Sequence, residues 1–186
     1  MKRFFDVSVA LSLMVLLLPV IVLVALMVKL NSRGPIIYAS NRVGVNNQIF
    51  SMPKFRTMKV NTPTVATHLL ENPDAYLTSI GSLLRKTSLD ELPQLWSVLI
   101  GDMSLVGPRP ALFSQTDLID ARTQAHVHLL LPGITGWAQV NGRDSLSIEQ
   151  KVEFDRQYLS QRSFWFDLKI IFLTLVKVCR RADVSH

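Results

Sequence analysis

The stretch "VSVALSLMVLLLPVIVLVALMV", 22 residues between Asp6 and Lys29, carries no charge. About 20 such residues cross a bilayer as a helix, so the segment predicts a membrane element rather than the opening of a soluble domain. A cleaved signal peptide is a poorer fit, because its apolar core runs to only ~7–15 residues and "KLNSRGP" offers no small-residue cleavage site. Pro19 removes a backbone donor and crowds the carbonyl four residues back, which predicts a kink near Val15 to Pro19. Each arm is then half a span: Val7 to Leu18 is 12 residues, roughly 18 Å of helix against ~30 Å of hydrocarbon. Two architectures satisfy these facts. One is a hairpin that enters and leaves by the same face, broken at Leu18-Pro19; the other is a kinked helix that spans as a plain anchor. Lys2 and Arg3 precede the segment and Lys29, Arg33 and Arg42 follow it, so both flanks prefer the cytoplasmic side.

A second membrane contact is expected in "SFWFDLKIIFLTLVKVCRR", residues 163 to 181. Lys169 and Lys177 interrupt the apolar run, and Phe164, Trp165 and Phe166 are residues that settle at headgroup level, which together describe an interfacial helix. The competing account is a core helix with two snorkelling lysines.

At 186 residues the chain is long enough for one compact unit and too short for two ordinary domains with a linker. A net charge of +6 with 48% hydrophobic residues points to a membrane surface or a polyanionic ligand. Cys179 is the single cysteine, so no internal disulfide forms. His126 and His128 are spaced two apart and diverge on either a strand or a helix, which argues against zinc.

Between the two apolar segments the chain reads as mostly helical with a minor β component. "GPIIYASNRVGVNNQIFSMPKFRTM" alternates β-prone runs with turn residues, and Asn46-Asn47 predicts a hairpin turn. Residues 64 to 86 read as helical or irregular and 88 to 100 as helical. "GDMSLVGPRPAL" and "LPGITGWAQVNGR" read as loops, and 145 to 160 and 164 to 179 as helices.

Chemistry concentrates at "TSLDELPQL", where Asp90 and Glu91 stand side by side in a basic chain. Pro93 is tolerated best in a first helical turn and so predicts a helix start near Asp90, with Asp90 as the cap. "S88-L-D-E91" matches a capping box as an alternative, and acidic residues at helix starts are ordinary stabilisers. The functional alternative is that the helix start keeps Asp90 ionised as a nucleophile or metal ligand, while Glu91 holds a divalent cation or handles a proton. Magnesium takes one or two carboxylates plus phosphate oxygens. Lys54, Arg56, Arg85, Lys86, Arg109 and Arg143 are basic residues of the type that binds phosphate. "GSLLRKTS" is not a P-loop, since Arg85 and Ile80 occupy glycine positions; no G-x-G-x-x-G follows a strand, and no Asp-x-Asp pair is present.

These runs together resemble the bacterial sugar transferases, the small monotopic phosphoglycosyl transferases of the PglC type. The resemblance rests on "KRFFD" at 2–6, "RVG" at 42–44, "KFRTM" at 54–58, "RKTSLDELPQLWSVLIGDMSLVGPRP" at 85–110, "LPGITGWAQVNGR" at 131–143 and "FDLKI" at 166–170, essentially the whole chain. It implies an α fold with minor β: a monotopic protein with a re-entrant hairpin over 1–30, interfacial amphipathic helices, and a small cytoplasmic catalytic domain over 31–186, built as one unit. The implied reaction moves a phosphosugar from a UDP-sugar to polyprenol (undecaprenyl) phosphate and releases UMP. This is the first membrane step of lipid-linked glycan assembly, at the cytoplasmic face of the bacterial inner membrane.

By the same resemblance, Asp90 is the nucleophile that carries a covalent phosphosugar, and Glu91 is the Mg2+ ligand and proton handler. Pro108, Arg109 and Pro110 are associated with uridine. Lys54, Arg56, Arg85 and Arg143 are expected phosphate contacts, and Asp167 is a candidate active-site acid. Family members often place Ser-Pro at the membrane break, where this chain has Leu18-Pro19. Downstream glycosyltransferases are candidate partners, nucleic acid is not expected, and no residue selects the sugar or an oligomeric state. The "MKRFFD" start reads as that of a complete small enzyme rather than the terminal unit of a longer one. The non-enzymatic alternative is a membrane-anchored basic adaptor for nucleic acid or anionic lipid, recognisable by steeply salt-dependent binding; it leaves the Asp90-Glu91 pair without a purpose.

Overall fold

The computed structural model describes residues 1–62, 72–142 and 145–180. The apolar N-terminal segment forms two helices, α1 (Lys2–Leu16) and α2 (Leu18–Asn31), bent by 63° where they meet. Leu17 is the joint. Its N–H donates to the Leu13 carbonyl at 2.8 Å and closes α1, while its own carbonyl accepts from Ile21 at 2.8 Å and opens α2. Pro19 falls in the first turn of α2, where its missing N–H has no intrahelical partner to lose. The break therefore needs no hydroxyl at position 18. Among the described residues no single helix is long and apolar enough to cross a membrane, although the bent pair is so when taken together.

Both arms are also part of the protein interior. Ala10 of α1 is fully buried with Leu95, Val98, Met103, Val106, Tyr158 and Ile170, and Val24 and Val28 of α2 pack with Phe55 and Leu84. The opposite sides of the same helices expose Leu11, Val15, Leu16, Val22, Leu23 and Leu26.

β1 (Ile37–Val43) and β2 (Ile49–Phe55) form the expected antiparallel hairpin, in register from Ile37 opposite Phe55 to Val43 opposite Ile49. Asn46 and Asn47 turn it with φ of 54° and 59°, a left-handed conformation that asparagine tolerates best among non-glycine residues. α3 (Gly81–Lys86) follows, and then α4 (Gln94–Ile100). The helix expected over 88–100 thus begins at Gln94. Ser88, at φ 56°, breaks the chain away from α3; Leu89–Glu91 form a separate 3-10 turn with no side-chain cap at Ser88, and the cap position of α4 falls to Pro93 rather than Asp90. The stretch 63–71, part of the region read as helical or irregular, lies outside the described residues.

The two glycine- and proline-rich runs hold more structure than loops. β3 (Ser104–Val106) and β4 (Ala111–Leu112) flank the 107–110 turn, and β5 (Gly133–Thr135) leads into α6 (Trp137–Asn141). β4 joins the free side of β1, with Arg42 opposite Leu112, and β3 pairs in parallel with β5. Strands of two or three residues are too short to show an alternating pattern, and the partner of β3 lies far along the chain, so neither left a sequence signal. Gly107 and Gly133 allow the fit: a Cβ on Gly107 would run into the Leu131 carbonyl oxygen, and one on Gly133 into the Gly107 nitrogen.

α5 (Thr116–Gln124) lies between β4 and β5 in sequence. α7 (Ile148–Gln161) and α8 (Phe164–Arg180) match the two helices expected at the C-terminus. α7 carries a true capping box, with Ser147 accepting from the Gln150 N–H and the Gln150 side chain accepting from the Ser147 N–H. α8 has a buried side, with Asp167 and Ile170, and an exposed apolar side, with Trp165, Phe172, Leu175 and Val178.

Candidate active site

The 3-10 turn at Leu89–Glu91 sits against β2, and this packing brings a lysine from the strand to the two carboxylates. Lys54 Nζ donates to Glu91 Oε1 at 2.8 Å. Arg109, from the turn between β3 and β4, reaches the same oxygen with Nη2 at 3.4 Å. Asp90 is 7% exposed, beside the apolar cluster that holds Leu84, Leu89 and Leu92. Its burial raises the carboxyl to about 6, with Glu91 pushing the same way, while Lys54 and Arg85 pull it down. The expected ionising helix start is absent, and desolvation dominates instead. Asp90 is thus poised near neutrality and held as a carboxylate above pH 6 by the two cations.

Lys54 itself is pushed below the ordinary lysine value by burial and by Arg109, against the pull of Glu91. Arg85 donates Nε to Thr57 Oγ1 at 3.0 Å and feels both Asp90 and Asp74. Beside it opens a cleft of about 770 Å3 that starts where α2 ends; Asn31, Ser32, Lys59, Ser82 and Lys86 contribute to its wall.

Arg42 also belongs here, although in the sequence only its place in the "RVG" run sets it apart. Burial and the neighbouring Arg109 lower its guanidinium to about 10, while Glu91 works in the opposite direction. Nη1 of Arg42 donates to the Pro110 carbonyl at 3.3 Å, and Nε to Ser40 Oγ at 3.1 Å. A paired strand carries it to the 108–110 turn, a neighbourhood that single-residue patterns do not reveal.

Two expected site residues have other tasks. Arg56 is 5% exposed and donates from Nη2 to the Ser32 carbonyl and hydroxyl and from Nη1 to the Arg33 carbonyl, so it caps the C-terminal end of α2. Asp167 lies in a separate buried network. Its Oδ2 accepts from Lys2 Nζ at 2.6 Å and its Oδ1 from the Tyr158 hydroxyl at 2.7 Å, with Asp6 nearby accepting from Ser104 Oγ at 2.8 Å. Loss of solvent and the Asp167 carboxylate push the Tyr158 phenol well above its usual range. Arg143 lies outside the described residues. Pro108 and Pro110 flank Arg109 as expected, and the Pro108 carbonyl accepts from Gly133 N–H at 2.9 Å.

The cluster therefore combines one buried carboxylate of raised pKa, a second carboxylate held by cations, and four basic groups at Arg42, Lys54, Arg85 and Arg109. That set suits attack on a phosphorus that carries several negative oxygens, because the cations offset charge on both the attacked and the leaving group. Among the described residues no group of three or more His, Cys, Asp or Glu side chains comes together. Two adjacent carboxylates without a third fit Mg2+, which draws its remaining ligands from phosphate oxygens and water, better than they fit zinc.

The profile of the bacterial sugar transferase family matches residues 1–181. The chain is 43% identical over 185 residues to the UDP-glucose:undecaprenyl-phosphate glucose-1-phosphate transferase of Escherichia coli (strain K12), an overlap of 95% of this chain and 40% of that protein. It is 43% identical over 188 residues to the undecaprenyl-phosphate glucose phosphotransferase of Komagataeibacter xylinus, an overlap of 94% of this chain and 35% of that protein. It is 42% identical over 178 residues to the uncharacterized sugar transferase EpsL of Bacillus subtilis (strain 168), covering 96% of this chain and 87% of that relative. The chain thus spans well under half the length of the first two relatives and most of the third. With a match that runs through both helices of the bent pair, the carboxylate turn and the 108–110 loop, the chain belongs to the bacterial sugar transferase family.

Proposed function

We propose that this protein transfers a phosphosugar from a UDP-sugar to polyprenol phosphate and releases UMP, through a covalent intermediate on Asp90. The observation that carries the reading is the convergence of Lys54 and Arg109 on Glu91, next to a buried Asp90 raised to about 6. An Asp90 carboxylate oxygen attacks the sugar-bearing phosphorus; the new O–P bond forms as the bond to the bridging oxygen breaks, and UMP leaves with that electron pair. The polyprenol phosphate oxygen then attacks the same phosphorus and restores the Asp90 carboxylate. A covalent intermediate lets one small site serve a soluble nucleotide and a lipid in turn. Arg109 and Arg42 stand where charge builds up on the leaving phosphate, and Arg85 faces the cleft with room for the sugar or lipid phosphate.

Glu91 is the residue that would hold Mg2+, with Asp90 or substrate oxygens beside it. When bound, the ion supplies charge neutralisation on the diphosphate. The α1–α2 pair enters and leaves the cytoplasmic leaflet as a re-entrant hairpin. The exposed apolar side of α8 lies at the same interface, with Trp165 at headgroup level. The names of the E. coli and K. xylinus relatives, both undecaprenyl-phosphate glucose-phosphate transferases, support the acceptor, and the UDP-glucose in the E. coli name supports the class of donor. The test is UMP release from membranes given polyprenol phosphate and a panel of UDP-sugars, with Asp90→Asn as control. UMP release that needs no acceptor lipid for its first turnover but stops there without it, together with a phosphosugar mass on Asp90, is expected. Undiminished turnover by Asp90→Asn overturns the covalent step.

A further inference from the structure

The turn that carries Arg109 contains two prolines, so its own backbone has few donors with which to hold a shape. Its three successive carbonyls are each held from outside. The Pro108 carbonyl accepts from Gly133 N–H at 2.9 Å. The Arg109 carbonyl accepts from Arg122 Nη1 at 2.8 Å, and the Pro110 carbonyl from Arg42 Nη1 at 3.3 Å. Arg122, on α5, is itself 9% exposed and is fixed in turn by Asp155 of α7, which is 1% exposed: Nε and Nη2 both donate to Asp155 Oδ2, at 2.9 and 2.7 Å.

A buried ion pair is weak ground for stability, because removing two charges from water costs about as much as their attraction returns. Stability alone is therefore a poor account of this one. What the pair does have is direction. One edge of the planar guanidinium grips Asp155 while the remaining nitrogen points at the backbone of the residue whose side chain meets Glu91, a division of labour that only the rigid arginine fork can make.

We infer that Arg122 is a positioning residue for Arg109: braced by buried Asp155, it sets the height of the 108–110 turn and with it the approach of the Arg109 guanidinium to the nucleotide diphosphate. This rests on the proposed phosphosugar transfer and adds to it a part of the apparatus that touches no substrate. In a two-step transfer, kcat/KM for the UDP-sugar reports the first half-reaction and kcat/KM for polyprenol phosphate the second. Arg109 acts on the departing UMP, so a displaced Arg109 slows the first alone.

The test is Arg122→Lys, which keeps a positive charge beside Asp155 but replaces the fork with a single ammonium. Expected is a loss on the order of tenfold to a hundredfold in kcat/KM for the UDP-sugar, the scale of a misplacement near 1 Å. No matching loss in kcat/KM for polyprenol phosphate is expected, and no further loss when the change is made in an Arg109→Ala background. A purely structural role lowers both half-reactions together by reducing the active fraction; that result, an unchanged variant, or an additive loss on Arg109→Ala overturns the inference. Should Arg122→Lys not fold, the charge-neutral pair Arg122→Gln with Asp155→Asn is put through the same measurements.

Hydrogen exchange across residues 107–112 gives a readout independent of turnover. Faster exchange confined to that turn supports the bracket, and unchanged exchange overturns it. Wild-type protein that releases no UMP from any UDP-sugar sinks the transfer reading, whereas the exchange rates of the turn still decide whether Arg122 holds it.

Discussion

Lys2 Nζ donates to Asp167 Oδ2 at 2.6 Å, across 165 positions of sequence. This bond ties the first turn of α1 to α8, and Tyr158 completes it from α7 by donating to the other oxygen of the same carboxylate. Asp167 is thereby occupied in holding the ends of the chain together. Asp167→Ala takes the short-range acceptor from Lys2 and leaves the buried Tyr158 hydroxyl only the Val106 carbonyl at 3.2 Å, and is expected to lower stability by roughly 1–3 kcal/mol. Chemical denaturation in detergent measures the loss. Specific activity per folded molecule is expected to persist, and its collapse in fully folded protein would return Asp167 to the chemistry.

Asp90→Asn is expected to abolish UMP release to below one thousandth of wild type, on the order of 4 kcal/mol or more in the barrier. Stability has the opposite sign. Asp90 rises from 3.8 in the unfolded chain to about 6 in the fold, so its contribution is favourable at low pH and is lost as pH climbs through that window. Neutralising it leaves the protein at least as stable at pH 7 as wild type, which a thermal melt run beside the activity assay will register.

The same raised value sets a pH limb. Attack needs the carboxylate, so kcat/KM for the UDP-sugar is expected to fall about tenfold per pH unit below about 6 and to level off above it. The profile is read at low magnesium. A bound cation beside Asp90 favours the carboxylate, and raising magnesium therefore moves the limb to more acid pH. A profile flat from pH 5 to 8 at low magnesium contradicts the burial of Asp90.

Glu91→Gln keeps one side-chain oxygen but removes the negative charge that Lys54 and Arg109 share. If Glu91 also holds the cation, the magnesium concentration for half-maximal UMP release rises about tenfold, the equivalent of ~1.4 kcal/mol. Partial recovery at saturating magnesium is the expected signature. A variant equally impaired at every magnesium concentration assigns Glu91 to aligning the two cations alone.

Arg56 and Arg42 offer a contrasting pair. Arg56→Ala uncaps the end of α2 and releases the carbonyls of Ser32 and Arg33 from a buried guanidinium, so it is expected to cost stability, roughly 1–3 kcal/mol, with KM for the UDP-sugar unchanged. Arg42→Ala leaves the fold in place and raises that KM several-fold. Melting curves and initial rates on the two proteins, run in parallel, separate the roles; exchanged phenotypes would reverse the assignment.

Local chemistry was legible in the sequence and long-range assembly was not. Pro19 marked the bend and Asn46-Asn47 the hairpin because each acts through its own backbone preference. The carboxylate pair was legible as a residue type in a basic setting. Its environment was not: Pro93 suggested a helix start, but left-handed Ser88 inserts a separate turn, and burial rather than a helix end sets the charge state of Asp90. Arg56 has the composition of a phosphate ligand and is spent on a helix end, whereas Arg42 and Arg122 reach the 108–110 turn only through strand pairing and helix packing. A roll of basic residues cannot tell these apart, since the deciding partner in each case lies more than ten positions away.

The bend at Leu17 has a consequence for how the chain is made. α1 leaves the ribosome before its partners, yet its buried face is completed by Val98, Tyr158 and Ile170, and Lys2 waits for Asp167. Contacts this far apart in sequence form late, because the loop between them must first be closed. The apolar α1–α2 pair therefore waits for its protein partners through most of their synthesis, and in the proposed re-entrant placement lipid shelters it until they exist. Cutting the pair away would strip Ala10, Val24 and Val28 from the two apolar clusters, so in that placement insertion and folding are steps of one event.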